Sequence, residues 1–284
     1  MRSKMFYLLP HAIQDLIAKG FKVSGSYTSR TRGLKPKIKF TLDGTMKSGH
    51  NDTSLSNGVN NGQIVAATAQ HLKINVRALV AGDDLLVASQ QPVPLSMENL
   101  ERSMGIVPEA ARFEDPEHVS FISGIFMKTA FGFAFLPKPG RLLAKLFWTV
   151  KPISNTDVFR RCVSITTYEV MQNMPIIKQF LELHCPSLPA IFSSKTLRNQ
   201  IADAHAYLRA SKGGWYEPFD KQDYSYQEGY DFLLRRYGLA SHDIDELIDF
   251  IVHVPSLPCS LEHPIAQRMI NLDTADLDQR PGRV

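Results

Sequence analysis

Cysteine is scarce: Cys162, Cys185 and Cys259 are the only three among 284 residues, and they stand far apart. No disulfide framework or zinc knuckle can be read from that spacing, which suits a reducing compartment. Long apolar runs are also missing. The longest, Phe121 to Leu136, is short for a bilayer span, carries Lys128 and is broken by Gly124 and Gly132. It predicts paired strands rather than a membrane helix. Near the N-terminus only Met5 to Leu9 is apolar before Pro10, too short for a secretory signal. No internal repeat and no low-complexity tract is present. Early carboxylates are few, since Asp15 and Asp43 are the only two before Ser48.

What is there supports a globular fold. Apolar residues make up 44% and charged residues 21%, enough to bury a core in one or two domains. The net charge of +4 is unevenly spread. Residues 1–48 hold ten Lys and Arg against two Asp, and residues 128–161 hold seven against one. Residues 215–250 hold three basic against nine acidic side chains. Two basic blocks and an acidic one fit either a polyanion path or ordinary solvated surface.

Periodicity predicts an amphipathic helix over Met5 to Ala18, a polar loop over Ser24 to Lys35, and a strand over Ile38 to Leu42. Thr53 to Leu72 reads as a buried helix. Arg77 to Ala88 reads as strand, tight turn and strand, with Gly82-Asp83-Asp84 at the turn. Ser96 to Ser103 reads as a short capped helix. Val119 to Met127 and Phe131 to Leu136 read as a strand pair. Pro137, Pro139 and Pro152 punctuate what reads as a basic linker. Helices are then predicted over Asp157 to Met171, Ile176 to His184, Lys195 to Ala210, Tyr226 to Tyr237 and His242 to Val252, with a frayed tail over the last twelve residues.

Two motifs bear chemistry. A Gly-Asp-Asp turn between apolar strands places carboxylates at an exposed tip, the setting in which hard cations find oxygen ligands. The same three residues also make a plain surface turn. Ser48-Gly49-His50-Asn51-Asp52-Thr53, followed by Asn57, puts a flexible glycine beside a helix start. Thr53 and Asn57 are four apart and share one helical face, where hydroxyl and amide groups can read a sugar hydroxyl. An ordinary helix cap uses the same residue types.

Taken together, Ser48-Gly49, Thr53, Asn57 and the later Gly82-Asp83-Asp84 resemble the palm of positive-strand RNA virus RNA-dependent RNA polymerases. Gly44 to Gly49 and Thr53 to Asn57 look like motif B of the tombusvirus-like and nodavirus-like groups, and Val80 to Val87 looks like motif C. Ser96 to Arg112 is similar in layout to motif D, and Val119 to Met127 with Phe131 to Arg141 to motif E. The resemblance covers about residues 5–150 and implies an α+β fold. That fold is a partial polymerase palm, an antiparallel sheet with helices on one face, followed by a mainly helical thumb. The implied divisions are palm 1–118, a motif E hairpin and junction 119–150, and thumb 151–284.

The resemblance assigns roles by position. Asp83 and Asp84 would ligate Mg²⁺ or Mn²⁺, with Asp83 the main ligand. Ser48, Thr53 and Asn57 would position the nucleoside triphosphate and favour ribose, and Gly49 would let the loop move. Lys138 and Arg141 would touch backbone phosphates of the nascent strand, beside the RNA template. Localisation would be a replication complex in the host cytoplasm.

Two departures stand out. Asp15 and Asp43 cannot be the closely spaced aspartates of motif A, and the basic motif F is absent upstream. The chain is therefore expected to be a fragment, or one chain of a split polymerase needing a partner that supplies motifs A and F. On its own it would then be an incomplete RNA-binding or assembly subunit. The motif D segment Gly105 to Arg112 also lacks the family's lysine, and Arg112 is a poor proton donor. Reverse transcription is disfavoured by Ala81-Gly82 before the aspartates. The cluster His242 to Glu246 reads as an acidic helix start, His184-Cys185 as structural, and Trp215, Tyr216, Tyr224, Tyr226 and Tyr230 as thumb packing. His50 either meets a ligand or fills a turn.

Overall fold

The computed structural model describes His11 and residues 22–28, 37–43, 53–91, 113–149, 152–210, 223–253 and 262–275. The protein is α+β and forms two compact units, Met1–Ser96 and Met97–Val284. The predicted helix at 5–18 lies outside the described residues apart from His11, and the helix at 96–103 lies wholly outside them.

In the first unit, β1 (Lys22–Thr28) pairs antiparallel with β2 (Lys37–Asp43) in continuous register from Lys22↔Asp43 to Thr28↔Lys37. This corrects the expected loop over Ser24 to Lys35, whose first half is strand. The polar residues Ser24 and Thr41 lie opposite each other and join their hydroxyls at 3.1 Å, a cross-strand pair that polarity alone does not reveal. Gly25 is covered by the Phe40 ring, which a Cβ at that position would displace.

Helix α1 (Thr53–Leu72) and the hairpin β3 (Val76–Ala81) and β4 (Asp84–Ser89) follow. Their existence and limits agree with the sequence pattern, but their burial does not. Within α1 only Ser56 is buried. On the strands Leu79 is 51% and Leu85 38% exposed. The apolar runs of this hairpin are open rather than packed on both sides.

In the second unit, Pro116–His118 makes one turn of 3₁₀ helix, and β5 (Ser120–Phe121), β6 (Gly124–Thr129) and β7 (Gly132–Pro137) form an antiparallel sheet in that order. The predicted strand Val119 to Met127 is thus cut in two. Ile122 and Ser123 both have positive φ and turn the chain between β5 and β6. That backbone is normally written with Asn or Gly.

Eight helices follow among the described residues: α2 (Pro139–Lys145), α3 (Thr156–Met171), α4 (Ile177–His184), α5 (Leu188–Phe192), α6 (Leu197–Ala210), α7 (Tyr226–Tyr237), α8 (Ser241–His253) and α9 (Pro264–Ala275). The supposed basic linker contains α2, which begins with Pro139, a residue suited to the first helical position. Helix α9 runs to Ala275, three residues into the stretch expected to fray, and the rest of that stretch lies outside the described residues.

Period-2 alternation puts Ile125, Met127, Ala134 and Leu136 on one face of the sheet, and all four enter the core with Val163, Met171, Phe232, Leu233 and Met269. Helix ends follow local rules. Asn155 accepts from the amides of Asp157 and Val158, and Ser225 and Glu228 form a reciprocal capping box that opens α7. Gly238, in the left-handed region, closes it. Gly140 is required because a Cβ there would strike the Met269 carbonyl of α9.

A buried polar network ties these pieces together. Arg236 donates through Nη2 to Asp273 Oδ1 at 2.8 Å and through Nη1 to the Glu117 carbonyl at 2.6 Å. The other Asp273 oxygen accepts from Tyr237 Oη at 2.6 Å and from the Gly140 amide at 2.7 Å. Each buried charge is paired and hydrogen-bonded, the condition under which burial is tolerated.

Candidate active site

Site geometry begins with Gly82. Its φ of +65° lets the chain turn in two residues, with Ala81 paired to Asp84 across the ladder. A positive φ at the first central position, taken by glycine, is the signature of a type II′ hairpin turn. Asp83 and Asp84 are both exposed at this tip.

Helix α1 holds the tip from one side. Asn61 Nδ2 donates to the carbonyl of Gly82 at 2.9 Å and of Asp83 at 3.1 Å. A Cβ added to Gly58 would come within 3.8 Å of the Gly82 amide nitrogen and of a Val80 methyl, and one added to Gly82 would lie 3.7 Å from Ser54 Cα. Ser54, Gly58 and Asn61 follow the helical repeat and make one line against the hairpin. Thr53 and Asn57 flank that line and are half-buried. The structure therefore brings the start of α1 and the carboxylate tip into one place. Ser48, Gly49 and His50 lie outside the described residues.

Asn61 was missed by the sequence reading. The signal was available, because it repeats the Thr53–Asn57 spacing by one more turn and stands among small residues that let a strand come close.

Electrostatics at the tip fit a cation. Burial, and then the neighbouring Asp83 charge, raise the Asp84 carboxyl above its ordinary value. A divalent ion would relieve that repulsion. Among the described residues Asp83 and Asp84 are the carboxylates at this tip, two where a hard cation takes about six oxygens. Among the described residues no group of three or more His, Cys, Asp or Glu is placed to hold a metal.

The two basic residues expected to meet RNA have different settings. Arg141 is half-buried on α2, whereas Lys138, just before α2, is 3% exposed. In this conformation Lys138 does not offer its ammonium to solvent. The remaining conspicuous groups are structural. His184 sits edge-on between the Phe147 and Phe180 rings, and burial, with Arg160 adding to it, pushes its pKa down to about 4. Asp243 caps α8 by accepting from the Ala240 amide at 2.7 Å. Tyr224 is buried with its hydroxyl on the Val170 carbonyl. Trp215 and Tyr216 lie outside the described residues, as does Cys259, while Cys162 and Cys185 are free and buried.

A carboxylate turn set against a polar helix start is the kind of centre that supports metal-assisted phosphoryl transfer. A profile of the RNA dependent RNA polymerase family matches residues 12–171, more than half of the chain. The chain belongs to this family of RNA-dependent RNA polymerases. Replicase polyprotein 1ab of Beet yellows virus (isolate Ukraine) is 30% identical to it over 125 residues. Those residues are 44% of this chain and 4% of that polyprotein, so the chain spans a small part of its relative's length. Among the described residues, no helix is long and apolar enough to cross a membrane.

Proposed function

We propose that this chain carries the Gly-Asp-Asp part of a viral RNA-dependent RNA polymerase centre. The reaction is template-directed nucleotidyl transfer, in which a 3′ hydroxyl attacks the α-phosphate of a nucleoside triphosphate and pyrophosphate leaves. The observation that carries this reading is the pair of Asn61 bonds to the tip. They fix Asp83 and Asp84 against the helix that presents Thr53 and Asn57.

Asp83 would hold the divalent ions, Mg²⁺ or Mn²⁺, with Asp84 beside it as a weaker or outer ligand. Held by these carboxylates, such ions would supply charge neutralisation for the transfer. Thr53 and Asn57, with Ser48, would hydrogen-bond the incoming ribose, the role the family resemblance implies for them together with Gly49. Arg141 would serve the nascent strand, and Lys138 would do so only on leaving its buried position. Functionally the chain divides into palm at 1–118, junction at 119–150 and thumb at 151–284. Its kinship with tombusvirus-like and nodavirus-like polymerases rests on the wording of residues 44–57. Its place of work is a replication complex in the host cytoplasm.

The sequence contains no closely spaced aspartate pair before Ser48. We therefore read the metal cage as completed by a further segment or partner chain bearing motifs A and F. A primer-extension assay with Mg²⁺ tests this directly. The purified 284-residue chain alone should give no elongation, and a mixture with a segment supplying the aspartate pair should. Elongation by the chain alone would overturn the incomplete cage, and equal activity of an Asp83→Ala mixture would overturn the site itself.

A further inference from the structure

An open groove of about 800 Å³ runs between the end of α7 and α9 in the second unit. Its lining contains two guanidinium groups that reach solvent, Arg235 and Arg268, two amides, Gln267 and Asn271, and no carboxylate, with Arg236 buried beneath it. Two of these arginines come from the block 215–250, where acids outnumber bases three to one. The acids paired with these two arginines stand behind the groove wall, while Asp231 and Asp115 also bear on Arg235. The Asp273 side chain is 0% exposed and pairs with Arg236, and that of Glu117 is 6% exposed and pairs with Arg235.

Asp273 and the Glu117 carbonyl engage Arg236 fully, whereas Glu117 orients Arg235 without occupying all of it. Arg235 gives Nε and Nη2 to Glu117 at 2.9 and 2.8 Å, and its Nη1 takes part in neither bond. The Arg235 side chain is 50% exposed. Arg268 is exposed and lies over Gly238, where a Cβ would come within 2.9 Å of its Nη2. Gly238 thus serves twice, as the left-handed stop of α7 and as the gap through which Arg268 reaches the groove. A guanidinium fork held by a carboxylate on one edge presents its other edge in a fixed direction. Planar forks of this kind match phosphate oxygens.

We propose that this groove binds phosphate groups of an RNA backbone. Its open form fits a chain of phosphates better than the enclosed shape typical of a small-molecule pocket. The choice of RNA over other phosphates rests on the polymerase reading above, while the arginine lining stands without it.

The test is binding of a labelled oligoribonucleotide to the full 284-residue chain across a salt series, with ATP and inorganic phosphate as competitors. Arg268→Gln should weaken binding roughly three- to tenfold and lower the salt-dependence slope by about 0.7, the loss of one phosphate contact to a single strand. Arg268→Lys should keep the slope. Because Arg268 is exposed, its variants should melt like the parent. Arg235→Gln, which also loosens Glu117, serves as a second variant with its melting measured alongside. Unchanged affinity and slope in Arg268→Gln would overturn the groove as a binding site. Displacement of the RNA by ATP or inorganic phosphate at equal phosphate concentration would overturn the strand and leave a single-phosphate site. Asp83→Ala should keep the groove's affinity. Failure of elongation assays would therefore strike the catalytic reading without touching this one.

Discussion

Each unit of this protein contains a hairpin of two six-residue strands closed by a two-residue turn, β3–β4 in the first and β6–β7 in the second. Their ladders are alike, but their surroundings are not. In β6–β7 one face carries Ile125, Met127, Ala134 and Leu136, none more than 3% exposed. In β3–β4 the apolar residues Leu79, Val80 and Leu85 remain exposed. A two-stranded hairpin is marginal by itself in water. The second hairpin is held by burial. The first is held by α1 through Asn61 and close backbone approach. The difference separates scaffold from site: a hairpin that must present carboxylates at its tip cannot sink that tip into a core.

The sharpest way to break the comparison is to remove one side chain from each hairpin. Asp83→Ala in the complete enzyme should lower elongation by on the order of 10³-fold or more, the scale of losing a metal ligand in phosphoryl transfer. It should shift stability by less than about 0.5 kcal/mol, as for other exposed positions. Met127→Ala should do the reverse. It removes a fully buried side chain and should cost about 2–5 kcal/mol in the second unit. Elongation assays and thermal melts of both variants check the pair. Similar profiles for the two substitutions would erase the distinction drawn here.

A smaller effect belongs to the strut. Asn61→Ala removes two hydrogen bonds to the Gly82 and Asp83 carbonyls, worth about 1 kcal/mol each. The first unit should lose about 1–2 kcal/mol, and elongation should fall roughly tenfold or more because the tip is no longer fixed. The readout that separates positioning from mere stability is metal dependence. The variant should need more Mg²⁺ for half-maximal rate, at a temperature where it remains folded. An unchanged Mg²⁺ requirement would reduce Asn61 to a structural role.

How much of this was legible in the sequence follows from the same contrast. Local signals worked where the structure is local. Gly82-Asp83 announced its turn, and the helices expected at Thr53 to Leu72, Asp157 to Met171 and Tyr226 to Tyr237 fall within a residue of α1, α3 and α7. Signals failed where partners are distant. Pro139 and Gly140 read as linker because the reason for Gly140, the Met269 carbonyl, lies far along the chain. Ser24 to Thr28 read as loop because its partner strand supplies the pairing. Ile122 and Ser123 carry no turn signature, yet they turn. For the site, the sequence placed Thr53, Asn57, Asp83 and Asp84 in named roles, and the fold joins the helix start to the tip. Asn61 was on display in its spacing, one further turn beyond Asn57, but its bonds to the tip exist only where helix and hairpin touch. The buried face of β6–β7 was readable by alternation, whereas the open face of β3–β4 was not, since an apolar run looks the same whether covered or bare.

The gentlest test of the two hairpins uses pH, because their carboxylates shift in opposite directions. Burial alone would raise Glu117, but the bonds from Arg235 and the Lys128 amide of β6, with the Arg235 charge, outweigh it and hold the carboxyl below its ordinary 4.5. A depressed carboxyl contributes stability that is present above its unfolded pKa and lost as pH falls through its folded value. The second unit should therefore loosen around Lys128 on acidification below about pH 4.5. Asp84 is raised above 3.8, first by burial and then by Asp83. Its contribution is present below 3.8 and lost as pH rises through the folded value, so acidification should not loosen the tip. Amide exchange at Lys128 and at Leu85, followed over a falling pH series and corrected for intrinsic rates, reads both ends at once. Exchange at Lys128 should speed up relative to Leu85, and Glu117→Gln should remove that dependence while leaving Leu85 as it was. A parallel loosening of both hairpins in the parent protein would show that the two carboxylates do not differ in the way their surroundings dictate.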